Sequence, residues 1–423
     1  MRRCKSALPT NWVRVDVSQH HLRRDRDTHG MEDRIYVPFA TALRDVDSPF
    51  VETTAVDAWD AWFRWRDHGT LRDLTVDATW DRVATALTSV ESTATAPIWK
   101  RRFTDAFDAW RLLLDERIFA TAGTREYNWR NGGLVAALNV AVFVRAPLTS
   151  HASFDLAGFE DVATLAARAL DDATVLVGND AAVNADLRIG MVGLADALTL
   201  LGMAYDSADG RAQAAFIAQA LAQGCLRGSL QLARERGATA ACTQEWRTRA
   251  QAHAVAAELV DEAACHGIRH RRLTAITSQW KLALLANNVA DALDPSIDST
   301  HPEIATVGDA QRGALARSYA PTPSVLQPAP EAGKCSVASV TAQLELRAAI
   351  QPWIDDPITY PLLVDSEPDE QLSAQWTTLA AEWGLPKPGW RRPDNRASAR
   401  ARHPLANLAT WQNVHLRRAK ADP

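Results

Sequence analysis

Apolar positions recur every three to four residues along much of the chain, the spacing of amphipathic helices. Ala58, Trp59, Trp62 and Trp65 keep it from Thr53 to His68. It continues over Ala78–Val90 and Ala96–Asp115, the latter with Trp99, Phe103, Phe107 and Trp110 on one stripe. The texture then changes. Leu134–Val144 (LVAALNVAVFV) is almost continuously apolar and β-branched at several positions, which predicts a buried strand over its second half. Further helices are expected at Phe159–Leu170, Ile189–Leu201, Ala208–Glu235 and Glu245–Cys265, with His266–Gly267 as a stop. Gly202 marks a tight turn, Asp206–Ser207 a capped helix start and Gly237 its end. Leu273–Thr277 reads as a second short buried strand.

Punctuation divides this pattern. Residues 1–45 are Arg- and Asp-rich with little periodicity, an irregular leader, and 46–124 form an N-terminal helical region. Residues 125–293 hold a helical core with the short strands. Prolines 295, 302, 321, 323, 328 and 330 make 294–336 a linker. Helices at Val337–Ile350 and Gln371–Trp383 fill a C-terminal section, 337–390, and a basic tail covers 391–423. The fold class expected is predominantly α with a few buried strands.

Composition sharpens this only where it excludes something. With 47% hydrophobic and 23% charged residues the chain can bury a sizeable core. A net charge of −5 argues against nucleic-acid binding by the whole molecule. The 15 tryptophans are read as packing anchors, since the indole is both apolar and a hydrogen-bond donor. Five cysteines at irregular spacing, without a CxxC, suit a reducing compartment rather than a disulfide framework. The first residues lack the apolar core of a secretory signal, and no run of about 18 apolar residues suggests a membrane span, so a cytoplasmic location is expected.

Several motifs, in one order along the chain, resemble the large catalytic subunit of ribonucleotide reductase, above all its adenosylcobalamin-dependent branch. TWDRVATALTSVE (79–91) and WKRRFTDAFDAWRLLLDERIFATAGT (99–124) are similar to the helical approach to the reductase barrel. LNVAVFV (138–144) resembles the family's "INLAAFV" strand, and LRIGMVGLADALTLLGMAYDS (187–207) its "RIGLGVMGLADLLALLGLPYDS" style. GIRHRRLTAIT with LLANNVADALDP resembles "GxRN…LTAIAPTGTIS…ANNVSSGIEP". AQLELRAAIQPWIDDPIT (342–359) and AAEWGLPKPGWRRP (380–393) are similar to the family's closing motifs. The resemblance implies a helix-rich remnant of the family's α/β barrel, with residues 125–293 as its partial barrel-like core.

The same resemblance shows what is missing. Ribonucleotide reduction uses a thiyl radical on the cysteine of an Asn-x-Cys-x-Glu finger loop, whose Asn and Glu serve the substrate hydroxyls. This sequence contains no such motif. Two further cysteines supply electrons as a dithiol. The position matching one of them is Gly133, and Arg125-Glu126-Tyr127-Asn128 follows Thr124 without the other. Between Thr124 and Leu134, where the family places half its barrel, this chain has about ten residues. The family's phosphate loop, Pro-Thr-Gly-Thr-Ile-Ser, corresponds to Ser278-Gln279-Trp280-Lys281-Leu282-Ala283. "NNVSSGIEP" corresponds to Asn287–Pro295, with Ala290 and Asp291 in place of the serines.

No catalytic residue is therefore assigned. Thr277, Ser278 and Lys281 are the candidate phosphate contacts, with Lys281 also read as a surface lysine. Cys265, with Arg269, Arg271 and Arg272 nearby, is the candidate reactive thiol. No metal site is expected, and Cys225 is read as a small packing residue. No cofactor is expected, save adenosylcobalamin should the family activity persist. The function expected is that of a ribonucleoside-diphosphate reductase-like pseudoenzyme in the family of deoxyribonucleotide synthesis, kept for binding, scaffolding or regulation. The alternative is an active adenosylcobalamin-dependent reductase component, or a repurposed nucleotide-acting enzyme, completed by a partner chain. A half-barrel would expose a sheet edge, so a protein partner or self-association covering it is expected. A nucleotide remains a possible ligand.

Overall fold

The computed structural model describes strands at 12–14 and 36–38, then residues 50–392 except 51–52, 69, 130–132, 179–185, 240–241, 253–254 and 296–338. Most of the leader, the proline-rich linker, nearly all of the basic tail, Cys4 and Cys335 lie outside the described residues.

The leader contributes β1 (Trp12–Arg14) and β2 (Tyr36–Pro38), paired antiparallel. The first helical layer begins with α1 (Thr53–Ala58), which runs into a π-turn at Trp59–Phe63. The hairpin β3 (Arg66–Asp67) and β4 (Thr70–Leu71) ends this Trp-rich stretch, so the helix stops before His68. Next come α2 (Val76–Leu87), capped by Thr75, and α3 (Ala96–Asp108). The run to Asp115 does not stay helical. Leu112–Leu114 forms β5, followed by α4 (Glu116–Thr121). The tryptophans anchor this layer. Trp80 packs on Phe107, Trp110 and Phe119 with ring centroids at 5.7, 5.6 and 4.9 Å.

The central region carries the sheet. Val135–Asn139 is β6, so the strand lies in the first half of the 134–144 run rather than its second. A 3-10 turn at Val140–Phe143 follows, and then β7 (Val144–Arg145) pairs with β8 (Ser153–Phe154). Helix α5 (Leu156–Leu176) returns the chain to β9 (Asp186–Val192), parallel to β6. Only the second half of the expected 189–201 helix is helical, as α6 (Leu194–Leu200). Helix α7 (Ala208–Arg236) keeps the expected bounds, with Ser207 as N-cap and Gly237 as C-cap. The 245–265 stretch divides into α8 (Gln244–Ala252) and α9 (Ala257–His266), and β10 (Arg272–Thr274) joins β9 in parallel.

The resulting sheet has the order β10-β9-β6-β5 and is open, not a closed barrel. Its strands are flanked by helices, and α5 packs against α7 at very close range. A Cβ on Gly224 would lie 2.6 Å from the Glu160 carbonyl oxygen, and one on Gly228 2.6 Å from that of Thr164. Helix α10 (Trp280–Leu285) precedes the linker, and α11 (Val340–Ile350) and α12 (Glu370–Glu382) follow it. Leu362–Leu363 (β11) and Trp390–Arg391 (β12) pair in parallel over a small second core of Leu344, Leu362, Val364, Ala380 and Leu385. Arg347 fastens this section to the main body through Asp294 at 2.8 Å, both side chains buried. No helix among the described residues is long and apolar enough to cross a membrane.

The sheet edges are covered by the chain itself. The backbone N–H groups of Leu273 and Thr274 on β10 donate to Asp355 Oδ2 at 2.7 and 3.1 Å, and Asp356 N–H donates to the Thr274 carbonyl. At the other edge, all of β5 is buried.

Candidate functional site

The candidate phosphate contacts lie where β10 leads into α10. Gln279 is the N-cap residue of α10, but its side chain does not cap the helix. The cap comes from a distance. Asp291 accepts the backbone N–H of Gln279 on Oδ1 at 2.7 Å and the Ser278 hydroxyl on Oδ2 at 2.6 Å. Such donors, a helix-start N–H and a neighbouring hydroxyl, are those that would otherwise face an anion. Tyr360 adds its hydroxyl to Asp291 Oδ2 at 3.4 Å, and Arg391 donates in turn to the Tyr360 oxygen at 2.5 Å. Burial pushes the Asp291 carboxyl above the usual carboxylate range, while Ser278 and the Gln279 N–H pull it down.

The side chains of Thr277 and Lys281 are also engaged within the chain. Thr277 Oγ1 accepts from the Gln279 amide at 2.9 Å. Lys281 Nζ donates to both carboxylate oxygens of Glu116, each at 2.7 Å, across to α4. Trp280 is 53% exposed and meets Trp62 edge-on at 5.3 Å, so it lies over the surface rather than filling the loop. The segment carrying Asp291 is conformationally unusual. Asn287, Asn288 and Ala292 have φ of 64°, 60° and 53°; asparagine tolerates this region, but alanine adopts it at a cost.

Sequence reasoning placed Thr277, Ser278 and Lys281 together, and the structure does the same. It missed Asp291, Glu116, Tyr360 and Arg391 as the groups that engage them. The only signal was the carboxylate standing where the family has serine.

Cys265 is exposed at the end of α9 and lines an open depression of about 490 Å³ with Cys242, Thr239 and His266. The neighbouring arginines face carboxylates. Arg269 reaches Asp171 at 2.7 Å, Arg271 reaches Asp186 at 3.6 Å and Arg272 reaches Asp356 at 3.0 Å. Cys225 is fully buried on α7, and burial pushes its thiol well up. Among the described residues no group of three or more His, Cys, Asp or Glu could hold a metal ion.

The structure also aligns a serine, a histidine and an aspartate. Ser229 Oγ lies 2.9 Å from His270 Nδ1, and His270 Nε2 lies 3.2 Å from Asp171 Oδ1. All three are buried, with Ser229 inside α7, so the line joins helices and reaches no substrate.

The shortened connection is well defined on both sides. Asp115 takes the N–H groups of Arg117 and Val135 at 2.9 and 3.1 Å, and its own N–H reaches the Val135 carbonyl at 2.8 Å. Strand β5 therefore pairs directly and antiparallel with β6, Leu112 opposite Leu138. Gly133 is exposed and accepts Arg117 Nη2 on its carbonyl at 3.0 Å.

Residues 134–313 match the family model for the ribonucleotide reductase barrel domain. The chain is ribonucleotide reductase-like. The match covers less than half of the sequence and begins at Leu134, directly after the shortened connection. It includes the 277–281 loop and Asp291, whereas the motifs at 79–124 and 342–393 lie outside it. No curated protein matches the chain.

Proposed function

We propose that this chain is a truncated, degenerate relative of the adenosylcobalamin-dependent reductase large subunit. In this reading it does not reduce ribonucleotides and serves as a binding, scaffold or regulatory protein. The fold is then a helix-rich remnant of the family barrel, with β6, β9 and β10 corresponding to the part after the finger loop. The observation that carries the reading is Asp291, whose carboxylate holds Ser278 and the Gln279 N–H where a phosphate would need them.

Supporting features point the same way. Radical chemistry needs a cysteine within Asn-x-Cys-x-Glu, and the sequence has none. Direct pairing of β5 with β6 occupies the side of β6 on which further strands of a barrel would continue. Lys281 cannot hold a phosphate while it spans both Glu116 oxygens, although this partly exposed pair contributes little stability, about 0–1 kcal/mol.

Calorimetric titration with inorganic phosphate and with a nucleoside diphosphate tests this reading. The unaltered protein should take up neither, and any gain should be confined to Asp291→Ser, which restores the family's residue type. Nucleotide binding by the unaltered protein that disappears in Lys281→Ala would overturn it.

A further inference from the structure

The most densely charged interior lies away from the 277–291 loop, where four segments meet. Glu91 follows the 3-10 turn after α2; Arg168, Asp171 and Asp172 lie on α5; Glu235 and Arg236 end α7; Arg269 and His270 follow α9. Arg168 donates to Glu91 at 2.5 Å and also to Glu235. Arg236 Nη2 is shared by Glu91 Oε1 at 2.6 Å and Asp172 Oδ1 at 2.5 Å, and its other terminal nitrogen binds Asp171. Arg269 Nε closes the network on Asp171 Oδ1 at 2.7 Å. Trp99 stacks under Arg168 at 3.9 Å, so that face of the cluster is apolar.

Three buried carboxylates, on Glu91, Asp171 and Asp172, meet three guanidiniums, on Arg168, Arg236 and Arg269, while Glu235, 46% exposed, keeps its charge in solvent. His270 adds no further positive charge, because burial drives it towards its neutral form. Its ring is also committed. Ser229 Oγ accepts the His270 backbone N–H at 3.2 Å, which leaves the Ser229 hydroxyl hydrogen for Nδ1. One buried carboxylate oxygen of the cluster is nevertheless left without a donor among the described residues. Asp172 is fully buried, and its Oδ2 has no hydrogen-bond partner. An ionised carboxylate with a bare buried oxygen is costly, and a bound proton removes that cost.

We propose that this cluster is a one-proton clasp: closed, it keeps a proton on the Asp172 carboxyl, and losing that proton loosens α5, α7 and the 267–270 segment from one another. Burial and the nearby Glu91 raise Asp172 to about 7 against the pull of Arg236 and Arg168, so the clasp works near neutral pH. Asp196, buried on α6 and raised to about 6, titrates in a neighbouring range but accepts only from Ala290 N–H and lies outside the cluster.

Infrared difference spectra of the full chain between about pH 5.5 and about pH 8.5 bracket the release of such a proton. The protonated-carboxyl signal should fall with rising pH, with one component missing in Asp172→Asn, a different one missing in Asp196→Asn, and none missing in Glu235→Gln. Amide exchange along α5 and α7, corrected for intrinsic rates, should rise over the same range in the unaltered protein and stay level in Asp172→Asn. Should that variant not fold, carbon-13 labelling of the aspartates in the unaltered protein still identifies the signal by its shift. The proposal is overturned if Asp172→Asn removes no component, if Glu235→Gln removes it, or if exchange along α5 and α7 ignores pH.

Discussion

At the scale of single residues, one carboxylate gathers the donors at the start of a short helix. Asp291 accepts from Ser278 and the Gln279 N–H, which fits the proposed loss of an anion site, and the sequence shows only its identity, a carboxylate where the resemblance sets serine. Its hydrogen bonds to Ser278 and Gln279, thirteen and twelve residues back, depend on the turn through Asn287 and Asn288. That turn needs two residues with positive φ, which no periodicity signals. The buried line Ser229–His270–Asp171 was equally invisible, because its members come from α7, the segment after α9 and α5. His270 has its pKa lowered by burial, so the unfolded chain takes up a proton first as pH falls below about 6.5. The protein should therefore lose stability relative to His270→Gln from about pH 6.5 downward, read as urea midpoints across a pH series. A difference that stays constant with pH would contradict the buried neutral imidazole.

At the scale of elements, caps were legible and apolar runs were not. Ser207 and Gly237 bound α7 as their residue types require, the serine accepting Gly210 N–H at 2.9 Å. The run from Ile189 to Leu201 is apolar almost throughout, so its pattern does not separate a fully buried strand from a buried helix. Gly190 decides the matter in space: a Cβ there would lie 2.5 Å from the Ala275 carbonyl oxygen, against which β9 is packed. The same ambiguity moved the strand at 134–144 by half its length, since Val140, Val142 and Val144 suggested a strand where the chain turns. Gly224 and Gly228 have a comparable steric role between α7 and α5. Gly224→Ala should destabilise by about 1–3 kcal/mol despite the better helix propensity of alanine, because the obstructing atom is backbone. A chemical-denaturation midpoint equal to or above that of the unaltered protein would show that the helices can separate at little cost.

At the scale of the molecule, the four-stranded sheet is an open arrangement whose edges the chain closes for itself. Asp355 and Asp356 cap β10, and the aromatic layer around Trp80 and Trp110 buries β5. Spacing alone does not show that Asp355, 82 positions after Leu273, returns to β10. Asp355→Ala should free two strand N–H groups and cost about 1–3 kcal/mol, measurable as a lower denaturation midpoint without change in the monomer–oligomer balance. A shift to a larger species would mean that the freed edge recruits a second chain.

This reductase-like chain is proposed not to reduce ribonucleotides. The most direct measurement incubates the full chain with adenosylcobalamin, a dithiol reductant and a ribonucleoside diphosphate or triphosphate, and follows deoxynucleotide formation by chromatography. No deoxynucleotide above a no-protein control is expected. Sustained formation that disappears in Cys265→Ala would contradict it, because the thiol at the end of α9 would then be doing the work of the missing cysteines.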